Sequence, residues 1–77
     1  MVSTMNEPIY RQLGAKMEQT RTVLGWTQAD LAKRIGLTRT SVVNIEAGRQ
    51  RVLLHDVEKI ATAFQMSPKQ LMRGIWC

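Results

Sequence analysis

The stretch from Thr27 to Arg51, TQADLAKRIGLTRTSVVNIEAGRQR, leaves the chain little choice of fold. Thr27 and Thr38 each stand where a hydroxyl can cap a helix start, and Gly36 and Gly48 each stand where the helix must stop. The spacing predicts two short helices, over 27–35 and 38–47, joined by a tight turn. Their inner faces carry Leu31, Ala32, Ile35, Val42 and Ile45, and their outer faces Gln28, Lys33, Arg34, Arg39, Thr40, Val43 and Asn44. Trp26 precedes the first cap at the position that staples against Leu31, Asp30 suits the positive helix terminus, and Leu37 seals the turn from inside.

The rest of the chain supplies helices to hold this pair. From Pro8, a residue tolerated in a first turn, Ile9, Leu13, Met17, Thr20 and Leu24 recur at fours and threes, predicting a first helix that ends at Gly25. Arg21 lies at the margin of that stripe, so it either snorkels to water or meets a carboxylate. Leu54, Val57, Ile60, Ala61 and Phe64 predict a fourth helix with one buried face. Ser67, Pro68 and Gln70 supply a cap, a first-turn proline and a capping-box partner for a short fifth helix ending near Gly74, with Met66 placed to staple on Leu71. Met1 to Asn6 is polar and aperiodic, the pattern of a frayed terminus.

Charge narrows the partners. The 77 residues carry a net +5, which favours anionic partners, nucleic acid first among them. Between Asp30 and Asp56 the bases are Lys33, Arg34, Arg39, Arg49 and Arg51, and the only acid is Glu46. A domain this small buries only roughly 60% of its unfolded surface. Cys77, the single cysteine, leaves no internal disulfide to help. No run is long and apolar enough for a membrane span, and no signal peptide is visible, so a cytoplasmic location is expected.

Enzyme chemistry finds little footing. His55 and Cys77 have no metal-ligand spacing, no glycine-rich phosphate loop is present, and Asp56 and Glu58 already suit a helix start. No catalytic residue, metal or cofactor is expected.

The order Gln28, Ala32, Gly36, Val42 and Ile45, within LGWTQADLAKRIG and SVVNIEAGR, resembles the helix-turn-helix of the Cro and phage-repressor type, the Xre family. The resemblance runs from the first helix through the fifth. It implies an all-α, compact five-helix lambda-repressor-like domain over residues 8–77, with the helix-turn-helix at helices two and three and a flexible N-terminus over 1–7. It further implies a transcriptional regulator of repressor or controller type that binds double-stranded DNA sequence-specifically. In the family, helix two crosses the phosphate backbone and helix three enters the major groove.

Carried over by position, Arg39, Thr40 and Asn44 face bases. Arginine can bond guanine twice, asparagine can bond adenine twice, and a threonine methyl can meet thymine. Gln28 stands at the start of helix two, beside a phosphate and able to brace the recognition helix, and is counted with the base readers. Val43 either meets a thymine methyl or packs at the core margin. Thr27, Thr38, Arg49, Gln50 and Arg51 match phosphate-holding positions. The resemblance also pairs Arg21 with Glu46 as a structural tie, and Leu53 stands where relatives place a serine or threonine cap.

A short recognition helix reads few base pairs, so a homodimer on a palindrome with half-sites about 34 Å apart is expected. Met66, Met72, Ile75 and Trp76 are its expected interface, unless they complete the monomer's own core. The alternative reading is an antitoxin or other protein-partner module that binds DNA for autoregulation.

Overall fold

The computed structural model describes residues 8–75, which form α1 (Pro8–Val23), α2 (Gln28–Ile35), α3 (Arg39–Glu46), α4 (Leu54–Ala63) and α5 (Pro68–Leu71). The N-terminal residues 1–7 and the C-terminal pair Trp76 and Cys77 lie outside the described residues. Among the described residues there is no strand, and no helix is long and apolar enough to cross a membrane.

Local chemistry sets the helix boundaries. Thr27 caps α2 through a reciprocal box: its hydroxyl accepts the Asp30 N–H at 3.0 Å, and Asp30 Oδ2 accepts the Thr27 N–H at 2.9 Å. The bonds from Thr27, backbone first, hold the Asp30 carboxyl below the usual carboxylate range. This support for α2 is therefore present above that range and lost as pH falls through the lowered value. Thr38 caps α3 by accepting from the Ser41 N–H, and Ser67 and Gln70 form a second reciprocal box at α5.

Among the described residues four helices end in the same way, with an amide just past the helix end reaching back to a carbonyl five residues earlier. The pairs are Trp26 to Arg21, Leu37 to Ala32, Arg49 to Asn44 and Met66 to Ala61, each within 3.0 Å. This ending needs a left-handed residue, supplied by Gly36 (φ 71°) after α2 but by Gln65 (φ 59°) after α4.

Among the described residues thirteen apolar side chains, including Met17, Leu31, Val42, Ile45, Ile60 and Leu71, form one core. In it α1 packs on α3, α2 on α3 and α4, and α4 on α5. Trp26 stacks on Phe64 with ring centroids 5.8 Å apart, closing the core beside the α2 start. Lys16 Nζ donates to the Gln70 carbonyl at 2.9 Å, tying α1 to α5.

Three sequence expectations need correction. Leu24 does not extend the stripe of α1, because the helix turns off at Val23 and leaves Leu24 47% exposed. Leu54 is 76% exposed rather than on the buried face of α4. It is the first helical residue after an uncapped Leu53, so it stands at the rim, and Val57 one turn on begins the buried stripe. Met72 is 4% exposed and belongs to the monomer's core, which removes it from any surface offered to a second copy. Met66 and Ile75 are half-buried against that core, and Trp76 falls outside the described residues.

Candidate nucleic-acid interface

The surface carried by α2 and α3 is held from below by one buried carboxylate. Glu46, the last residue of α3, has a side chain only 4% exposed and takes three hydrogen bonds. Arg21 Nε donates to its Oε2 at 2.7 Å, and Arg21 Nη2 and Gln28 Nε2 both donate to its Oε1 at 3.0 Å. Arg21 Nη1 also donates to the Trp26 carbonyl at 2.8 Å, just ahead of α2. A single ion pair thus joins α1, the approach to α2, α2 itself and the end of α3. The bond to Glu46 holds the Arg21 guanidinium above its ordinary range.

Gly14 fixes the same junction through the backbone. A Cβ built there would lie 2.3 Å from the Ile45 carbonyl oxygen and 2.6 Å from that of Glu46, so α1 meets the end of α3 at a distance only glycine allows. Sequence reasoning missed this contact. Its signal was a glycine inside a helical pattern with no turn to make, which points to close backbone approach.

Above this support, Thr38, Arg39 and Thr40 are exposed at the start of α3, and Val43 and Asn44 are half-buried one turn on. The first amides of α3 have no intrahelical acceptor, and Thr38 satisfies only that of Ser41. The Thr38 hydroxyl also lies 3.2 Å from Ser41 Oγ as a donor. Arg49 and Arg51 are exposed and Gln50 half-buried in the loop after α3, and Arg49 Nη2 reaches Asn44 Oδ1 at 3.4 Å, a long bond that leans the loop toward the helix. Glu46 being buried and paired, the surface from Lys33 to Arg51 presents cations to solvent without an exposed acid.

Two residues of α2 make specific contacts of their own. Gln28, counted as a base reader, commits its amide nitrogen to Glu46 and so braces α2 against α3. Arg34 lies with its guanidinium 4.0 Å from the Trp26 ring centroid and borders a cleft with His55, Glu58 and Lys59 of α4, apart from the α3 surface. Sequence reasoning also missed Glu18 of α1, which borders a shallow notch of about 200 Å³ with Gln28, Val43 and Ala47. Among the described residues no cluster of His, Cys, Asp or Glu is placed to hold a metal ion.

The family described as Helix-turn-helix matches residues 17–71. The chain is 37% identical over 60 residues to a hypothetical transcription factor of Neisseria meningitidis serogroup B, a match covering 78% of this chain and 57% of that protein. It is 34% identical over 56 residues to antitoxin HipB of Escherichia coli K12, covering 73% of this chain and 64% of that one. The chain thus spans less than two thirds of both curated relatives. Among solved structures, the restriction-modification controller protein C.AhdI of Aeromonas hydrophila superimposes with a TM-score of 0.77 at 34% identity, covering 80% of this chain and 94% of that chain.

Proposed function

The chain belongs to the helix-turn-helix family, and from that premise we propose that it is a transcriptional regulator of repressor or controller type, binding double-stranded DNA with α3 in the major groove. The observation that carries this reading is the three-way hold on Glu46, which fixes α3 against α1 and α2 and leaves its N-terminal residues facing solvent. In this reading Arg39, Thr40 and Asn44 meet base edges, with Val43 beside a thymine methyl. Gln28 reaches the same groove edge through its second amide N–H and its carbonyl oxygen. Thr27, Thr38, Arg49, Gln50 and Arg51 hold phosphates and set register. The protein acts as a homodimer on a palindromic operator, since one such helix spans too few base pairs for useful specificity.

Arg51→Ala tests the phosphate assignment. It is expected to weaken binding to all duplexes alike and to lower the salt dependence of affinity by about one counterion. Binding measured at several salt concentrations checks this, and an unchanged slope removes Arg51 from the phosphate set.

Similarity to antitoxin HipB favours a second reading, in which the same DNA contact serves a chain that also engages a protein partner. Purification from the native host separates the two. A stoichiometric protein partner marks the antitoxin role, and the chain without one marks the simple regulator.

A further inference from the structure

We propose that Glu18 of α1 is a negative determinant of DNA binding: its carboxylate stands at the edge of the α3 surface, where it repels phosphate and lowers affinity for every duplex alike. The inference rests on the reading of α3 in the groove and adds to it a residue that opposes the contact.

The other acids among the described residues either serve the fold or lie elsewhere. Asp30 completes the α2 capping box, and Glu46 is buried beneath Arg21 and Gln28. Asp56 is 15% exposed beside His55 and Lys59, and Glu58 borders the cleft with Arg34, apart from the α3 surface. Glu18 has none of these roles. It is exposed and lies past the middle of α1, away from the positive helix end that favours an acid. Arg21, one turn on, feels its charge only through space, and less strongly than that of Glu46, whose oxygens take the guanidinium at 2.7 and 3.0 Å.

What Glu18 shares is a surface. It borders the notch of about 200 Å³ with Gln28, Val43 and Ala47. Gln28 opens α2, and Val43 and Ala47 stand one turn apart at the end of α3, so the notch lies where α1 meets both helices of the DNA-facing pair. With Val43 beside a thymine methyl and α2 across the backbone, a carboxylate on this notch faces phosphates at the groove lip. A carboxylate can also read cytosine through its N4 amine. That needs reach to the groove floor, whereas α1 packs against the end of α3, at the Ile45 and Glu46 carbonyls, and does not enter the groove with it. Glu18 therefore meets backbone before bases. Phosphates supply the sequence-independent share of affinity, so an acid among them loosens the grip on all sequences and leaves their ranking to Arg39, Thr40 and Asn44.

Titration of the full chain against a duplex it selects from random sequence and against an unrelated duplex, each at low and high salt, tests the assignment. The variants are Glu18→Gln and Glu58→Gln, with circular dichroism to confirm that each folds. Glu58→Gln removes the same charge from an exposed site apart from α3. Glu18→Gln is expected to bind both duplexes about three- to tenfold more tightly at low salt, the range for a like charge several ångströms from a phosphate. The gain is expected to shrink at high salt, which screens it, and Glu58→Gln is expected to change affinity by less than about twofold. Equal gains from the two variants reduce the effect to net charge and overturn the proposal. A Glu18→Gln chain that binds like the parent also overturns it, as does one that binds more weakly, which makes Glu18 a support for Arg21. A gain confined to one of the two duplexes makes Glu18 a base reader and overturns it too. In each of these cases the DNA reading stands; a parent that selects no duplex overturns both.

Discussion

Gly14→Ala is expected to destabilise the fold by about 3 kcal/mol, the upper range for forcing an extra carbon into a packed site. For a domain of this size, that lowers the melting temperature by roughly 12 to 24 °C. The sign is the informative part, since glycine to alanine inside a helix ordinarily gains about 1 kcal/mol. Here the new Cβ would press on the carbonyl oxygens of Ile45 and Glu46, backbone atoms that cannot swing aside, so α1 must withdraw from the end of α3. DNA affinity is expected to fall with it, because that junction also carries the Arg21–Glu46 pair. Thermal melting by circular dichroism checks the claim, and a stabilised variant would show that α1 and α3 do not meet this closely.

The second large effect is Glu46→Gln. The neutral side chain leaves the Arg21 guanidinium, whose side chain is only 12% exposed, without its counter-ion. Removing one partner of a buried pair costs about 3 kcal/mol or more. Operator affinity is expected to fall by at least about tenfold in addition, because α2 and α3 lose their shared anchor. The double variant Arg21→Met with Glu46→Leu separates the two effects. Apolar replacement of a buried pair is often neutral or stabilising, so melting is expected to recover while affinity stays low. Recovery of both would make the pair a packing device with no role in aiming α3.

The sequence announced α2 and α3 because their instructions are local: a capping threonine, a terminating glycine and the apolar spacing of Leu31, Ile35, Val42 and Ile45 all lie within a few residues of what they control. The same holds for Ser67 and Gln70 at α5. Where reading failed, the deciding fact was tertiary. Leu54 matches a buried stripe by spacing, but its place in the first turn of α4 puts it beyond the cover of α1, and no periodicity reports that. Met72 looked like surplus apolar surface because a chain read one helix at a time does not show how much of it a core this small consumes. Gln65 ends α4 in a left-handed conformation that glycine usually marks, so that turn carried no signal.

The site was legible in outline and incomplete in its supports. Arg39, Thr40, Asn44 and the Arg49–Arg51 loop lie on or beside one surface, as helical spacing required. The pairing of Arg21 with Glu46 came from family resemblance alone, since residues 25 apart share no local pattern. The third bond to that carboxylate, from Gln28, is the brace that its place at the start of helix two allowed. Arg34 lies over the Trp26 ring, a contact that needs α2 and the turn before it folded together.

Base preference of Arg39→Ala tests the reading of α3 most directly. A duplex selected from random sequence by the parent chain, and single-base variants of it, would be titrated with both proteins by fluorescence anisotropy. The parent is expected to discriminate at the position under Arg39 by about 1 to 3 kcal/mol, the range for a bidentate arginine–guanine contact. Arg39→Ala is expected to lose that preference while keeping those at neighbouring positions. An Arg39→Ala chain that prefers the same bases by the same margins would contradict the placement of α3 in the groove.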